Sequence, residues 1–170
     1  DITSPVTDGF AEFTIDIKQG TFVTNEFVVD TSQPNQKFII PNPYVDTSTL
    51  KVQVRDTLTS SSRKTYSQID NIVGISTHSE TFLIQEIQDE KYELLFGDGV
   101  LGKRLSNGNV INSTYIVTDG VGGNGVSNFS FSGKLVDNDG GLITSGISDV
   151  ITNERSSNGA EVESIDTIRN

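Results

Sequence analysis

Cysteine, methionine and tryptophan are all absent from these 170 residues, and histidine occurs once. Without cysteine there is no disulfide, no thiolate metal site and no thiol nucleophile, a composition consistent with assembly in a reducing cytoplasm. The lack of methionine extends to position 1, which implies a processed or excised piece of a longer polypeptide. No apolar run approaches the roughly 20 residues of a membrane-spanning helix. The opening Asp1-Ile2-Thr3-Ser4-Pro5 has neither the basic nor the apolar segment of a signal peptide, so no membrane insertion is expected. Cations are scarce too: 12 Lys and Arg against 23 Asp and Glu give a net charge of -11. Such a field repels phosphate backbones and argues against nucleic-acid binding. It confers solubility, and it would also favour docking onto basic neighbouring subunits.

The scarcity of chemical groups narrows catalysis. A serine hydrolase would need His78 as its base, a strained nucleophile turn and an orienting acid. His78 instead sits in the polar string Ser76-Thr77-His78-Ser79-Glu80, which reads as a solvated loop. Glu86, Asp89, Glu90 and Glu93 cluster as glycosidase carboxylates do, yet they straddle an expected turn and read as a solvated charged tip. Asp137-Asn138-Asp139-Gly140 resembles the start of a calcium loop, but its glycine comes two places early and position twelve is Ser148. A tight acidic turn is the better reading. The sequons at Asn112 and Asn128 matter only in a secretory pathway, which nothing here suggests. The residues therefore supply no catalytic group, metal site or cofactor site, and the chain is expected not to be an enzyme.

What is abundant is period-two alternation. Phe13, Ile15 and Ile17 alternate with polar neighbours, as do Leu50, Val52 and Val54, and Phe129 and Phe131. Each pattern predicts a half-buried strand. Further strands are expected over 21–29, 37–40, 66–73, 81–86, 92–96, 110–118 and 142–150, separated by turn-formers such as Asn42-Pro43, Asp98-Gly99 and Asn107-Gly108. Residues 57–64, with Ser60-Ser61-Ser62, read as an exposed loop. The fold class is therefore mainly β, an antiparallel sandwich or open barrel of about ten strands. Residues 1–140 would form this β-rich domain, and 141–170 an exit segment with a short C-terminal helix start. Ser164 would cap that helix, with Glu161 and Glu163 at the positive end of its dipole.

The densest signal lies at 92–126. A short apolar strand ends in Phe96-Gly97-Asp98-Gly99-Val100-Leu101-Gly102-Lys103, and a second, 110–118, ends in Asp119-Gly120-Val121-Gly122-Gly123-Asn124-Gly125. The spacing Gly97-x-Gly99-x-x-Gly102 matches the dinucleotide fingerprint, with Asp119 near the place of the ribose-binding acid. That fingerprint works only where the third glycine opens a helix whose amides hold the pyrophosphate. Here Leu105-Ser106-Asn107-Gly108-Asn109 is turn chemistry. The expected structure is a glycine-punctuated β-hairpin whose glycines serve backbone shape.

The same string, from Tyr92-Glu93-Leu94-Leu95-Phe96-Gly97-Asp98-Gly99 through Gly102, Asn107-Gly108 and Tyr115-Ile116-Val117-Thr118-Asp119-Gly120 to Gly123-Asn124-Gly125, resembles the baseplate J-like family. These are wedge proteins of contractile-tailed bacteriophages and related injection machines. Gly159-Ala160-Glu161-x-Glu163-Ser164-Ile165-Asp166-x-Ile168-Arg169 resembles the family's acidic pair and helix start, and 20–54 its strand-rich upstream region. The resemblance implies a structural subunit, one of several domains in series, that joins wedge copies into the inner baseplate ring and transmits their rearrangement on contraction. It implies a virion location, assembly in the host bacterial cytoplasm, and as partners copies of itself and neighbouring wedge and sheath-initiating proteins. No catalytic residues come with it. Glu163, Ser164, Ile165, Ile168 and Arg169 are its interface candidates, because a helix that stops at Asn170 is too short to be stable alone. The alternative function is a β-rich receptor- or carbohydrate-binding module. Against that stand the missing tryptophan and four tyrosines, Tyr44, Tyr66, Tyr92 and Tyr115, placed mostly where they would serve the core.

Overall fold

The structure, a computed structural model, describes residues 12–137, 139–146 and 150–160. It is mainly β. Seven strands form one sheet: β1 (Thr21–Val28), β2 (Phe38–Ile40), β3 (Val45–Arg55), β4 (Lys64–Gln68), β5 (Thr81–Ile87), β6 (Lys91–Phe96) and β7 (Val110–Val117). Their order is β1-β7-β3-β4-β5-β6-β2, nearly closed into a barrel. Every neighbouring pair is antiparallel except β4 with β5, which run parallel and are joined by the crossover 69–80. A separate hairpin pairs β8 (Leu135–Val136) with β9 (Leu142–Ile143). Among the described residues the helical pieces are two 3-10 turns, at Gln88–Glu90 and Gly120–Gly123; no helix is long and apolar enough to cross a membrane.

Alternation explains which face each strand buries. Along β1, Val23, Asn25 and Phe27 point inward opposite Tyr115, Ser113 and Ile111 of β7. From β3, Val52 and Val54 meet the same Ser113 and Ile111 from the other side. The apolar ones, Val23, Phe27, Val52, Val54, Ile111 and Tyr115, join Ile40, Phe82 and Leu94 in one contiguous core. Each such side chain contributes about 1.5–3 kcal/mol on burial. Polar groups inside include Ser113, whose fully buried hydroxyl has no hydrogen-bond partner among the described residues, and a chain in which Asn25 donates to the Tyr115 hydroxyl, which donates to Asn42 at 2.6 Å.

Between β1 and β2 there is no strand pairing, and aromatic packing bridges the gap. Phe27 meets Phe38 edge-on at 5.9 Å, and Phe38 meets Phe96 at 5.7 Å. Phe96 in turn contacts Tyr66 at 5.8 Å and Phe82 at 6.3 Å. Gln36 ties the connector across the same seam, accepting from the amide of Asp30 and donating to the carbonyl of Val28.

The structure corrects several expectations. Residues 13–19 form no strand, and Phe13, Ile15 and Ile17 are exposed. Alternation alone is not enough, because a strand also needs a neighbour to take its backbone bonds. This segment is tied to the sheet by Lys18, whose ammonium lies 3.0 Å from Asp46. Phe129 and Phe131 form no strand for the same reason. The strand expected at 66–73 is shifted to Lys64–Gln68, and among the described residues of 142–150 only Leu142–Ile143 pairs. Most important, β6 and β7 do not form a hairpin: β6 pairs with β5 and β2, β7 with β1 and β3. Their connector, 97–109, far exceeds the roughly two to five residues of a hairpin loop and crosses one end of the barrel.

The expected acidic tip is the β5–β6 turn, with Asp89 at φ 63° and Glu90 at φ 57°. Glu93 departs from that reading: it is buried beside β2 and paired with Lys37 at 3.1 Å. Left-handed backbone costs a residue with a side chain about 1–2 kcal/mol. Glu90→Gly should therefore raise stability by about 0.5 kcal/mol after glycine's larger entropy loss is subtracted. Urea unfolding would measure it, and a loss would show that the Glu90 side chain does more than occupy the turn.

Candidate functional site

The two glycine-rich segments lie at opposite ends of the barrel, because β7 runs between them. At the first end the connector 97–109 closes on itself and on its neighbours. Gly97 packs so tightly on Gly102 that a Cβ there would lie 2.6 Å from the Gly102 Cα. Gly99 and Gly102 have φ of 93° and 86°, where glycine is the default residue. The Gly99 amide donates to the Gly102 carbonyl at 3.1 Å. Asp98 accepts from the amides of Val100 at 2.8 Å and Leu101 at 2.9 Å. Gly102 opens no helix, and its amide donates to the Ser76 carbonyl. The phosphate-binding geometry of the dinucleotide fingerprint is therefore not built here.

The rest of this connector laces the barrel end together. Lys103 donates to Glu80 at 2.6 Å and, through its amide, to the Ser79 carbonyl. Asn107 accepts from the Thr31 amide at 3.0 Å, and the amides of Gly108 and Val29 exchange bonds with Val29 and Asn109. Asn109 reaches the Asp56 carbonyl at 3.2 Å. One connector thus holds the loops before β2, β4 and β5. Beside it an open groove of about 370 Å³ has Phe38, Leu94 and Leu105 in its wall.

Two amides aimed at Asp98, first Leu101 and then Val100, hold its carboxyl below the ordinary carboxylate range. The sign follows. A depressed folded-state pKa means the stabilisation is present above the unfolded value, about 4, and is lost as pH falls through the lower folded value. Carbon-13 NMR should find Asp98 titrating below the exposed carboxylates. A midpoint at or above theirs would contradict the cap.

At the second end the strand β7 runs into the turn Gly120–Gly123, and three parts of the chain converge on it. Gln19, just before β1, accepts from the Asp119 amide at 3.3 Å and donates to its carboxylate. Asn124 clasps Gly159 by two bonds of 2.8 Å, donating to its carbonyl and accepting from its amide. Gly159 fits only without a side chain: a Cβ would lie 2.8 Å from the Gly120 carbonyl carbon. Ser156 extends the seam, with its carbonyl taking the Gly125 amide, its amide donating to Val126 and its hydroxyl to Gly123. The chain therefore enters β1 and passes Gly159 and Ala160 at one junction. Gly120, Gly123, Asn124 and Gly125 form its centre.

Sequence reasoning named those four but had no signal for Gln19, which works through its side-chain amide, or Ser156, which works through its hydroxyl and its backbone. The interface candidates Glu163, Ser164, Ile165, Ile168 and Arg169 lie outside the described residues, as does the helix start. Of the tyrosines, Tyr66 and Tyr115 are buried and Tyr92 half-buried, whereas Tyr44 is exposed. His78 is exposed, its Nδ1 2.9 Å from Thr77 Oγ1, and among the described residues no carboxylate hydrogen-bonds the ring. Asp137 closes the β8–β9 turn by accepting from the amides of Asp139 and Gly141. Among the described residues no group of three metal-ligating side chains is gathered. Comparison with protein-family models and with curated proteins finds no match to this chain.

Proposed function

We propose that this chain is a structural module of a contractile-tail baseplate wedge. In that role it helps join wedge copies into the inner ring and passes their rearrangement along the chain when the tail contracts. One observation carries the reading. The two strings that resemble the baseplate J-like family, 92–125 and 159–169, are far apart in sequence, yet Asn124 and Gly120 of the first grip Gly159 of the second. The polar members of the motif, Asp98, Asn107 and Asn124, spend their side chains on main-chain amides of loops. That is how residues serve a scaffold.

A module of this kind transmits force through its junction. A pull on the chain beyond Ala160 would load the Gly159 clasp and Ser156 seam first, and through Asp119 and Gln19 the chain entering β1. Contractile tails or tail-like particles purified from the source, analysed by mass spectrometry, test the reading. The chain should appear at fixed stoichiometry with other wedge proteins. Its recovery only outside such particles would overturn the proposal.

A further inference from the structure

Tyr44 is the anomaly of the junction. It is a bulky residue in the left-handed region, φ 57°, where such side chains are rare outliers. Its carbonyl is fixed by the Thr118 amide at 3.0 Å, and the residue is 46% exposed directly beside the buried Val45. Strain of this kind persists where surroundings over-determine it, often at sites that bind. Tyr44 lines a groove of about 320 Å³ with Thr118, Asp119, Gly120, Val121 and Ala160. That volume is at the lower end of small-ligand sites, roughly 300–1,000 Å³, and suits the end of one long side chain.

The groove offers an aromatic ring, the apolar side chain of Val121 and one carboxylate. Asp119 takes a hydrogen bond from the neutral Gln19 amide and, among the described residues, forms no ion pair. A tyrosine and an exposed carboxylate that line one groove, the carboxylate in no ion pair among the described residues, suit a cation, and a guanidinium best: its plane stacks on aromatic faces while its donors fork onto a carboxylate. The charge of the whole chain, -11, draws a basic surface in the same direction.

We propose that the Tyr44–Asp119 groove is a docking site for an arginine side chain of a basic partner protein. Asp119 forms the ion pair, Tyr44 stacks on the guanidinium plane, and the Thr118 bonds hold the strained tyrosine in place for it. A groove of this chemistry would serve any basic partner, so its failure would leave the wedge reading standing.

The test is a proton–nitrogen NMR titration of the purified 170-residue chain with N-acetylargininamide, beside its uncharged isostere N-acetylcitrullinamide. Saturable shifts confined to Tyr44 and residues 118–121 are expected with the arginine probe and not with citrulline. Asp119→Asn should weaken binding about fivefold, as expected for loss of a partly exposed ion pair. Tyr44→Gly, which suits the left-handed backbone and so keeps the fold, should weaken it about threefold through loss of the ring contact. Added salt should weaken it further. Equal shifts with citrulline, shifts spread over the acidic surface, or binding indifferent to Asp119→Asn would each overturn the assignment.

Discussion

Gly97→Ala should destabilise the protein by about 3 kcal/mol or more, at the upper end of overpacking costs. The new methyl group would lie 2.5 Å from the Gly102 carbonyl oxygen and 2.6 Å from its Cα, so it meets backbone and not a side chain able to swing away. Relief would require opening the Gly99 to Gly102 turn and, with it, the Gly102 bond to Ser76. Gly99→Ala provides the comparison. There a Cβ has room, its nearest contact being Arg104 at 3.5 Å, and only the φ of 93° opposes it, a cost of about 1–2 kcal/mol. Urea unfolding of both variants should therefore rank Gly97 well above Gly99. A reversed order would mean that the close approach of the two glycines does not constrain the connector.

Phe96→Ala should cost about 3 kcal/mol, the lower end for a buried phenylalanine, because the ring is only partly enclosed. Its neighbours make the loss large. Phe96 touches Phe38, Tyr66 and Phe82, and Phe38 carries the contact on to Phe27 across the unpaired seam between β1 and β2. Removing it leaves a void bounded by three rings and loosens the place where the barrel has no backbone ladder. Hydrogen exchange in the variant should accordingly quicken first in β2, whose one strand partner is β6. Uniform quickening over all strands would indicate that Phe96 stabilises the barrel as a whole and not its seam.

Much of this was legible in the sequence, because the strands that alternate and have partners are the ones observed. Val52 and Val54, Leu94 and Phe96, and Ile111 and Tyr115 all mark their inward faces by spacing. The readings that failed did so where the partner was missing. Phe13, Ile15 and Ile17 show the same spacing as β3, but no strand edge receives them. Pairing across the glycine-rich connector misled for the opposite reason. Two good strands with turn-formers between them look like a hairpin, and nothing local says that residues 97–109 cross the barrel end. The glycine positions themselves were readable as backbone shape, which fits Gly97, Gly99 and Gly102. What could not be read was the meeting of Asn124 with Gly159, since a side-chain amide gripping a distant peptide leaves no periodicity. Tyr44 lies outside the strands expected from the sequence, and its left-handed backbone, held by Thr118, has no local signature either.

The most direct measurement of the central claim is the yield of intact tails when Asn124→Ala is introduced into the gene that encodes this chain. The substitution removes both bonds to Gly159 but touches no core residue, so the protein should remain soluble with a barrel melting within a few degrees of the parent, as expected for a surface hydrogen-bond loss of about 1 kcal/mol. A scaffold that carries load through this clasp predicts folded protein and a sharp fall in assembled or contraction-competent tails. Tails assembling and contracting at the parental level would contradict it.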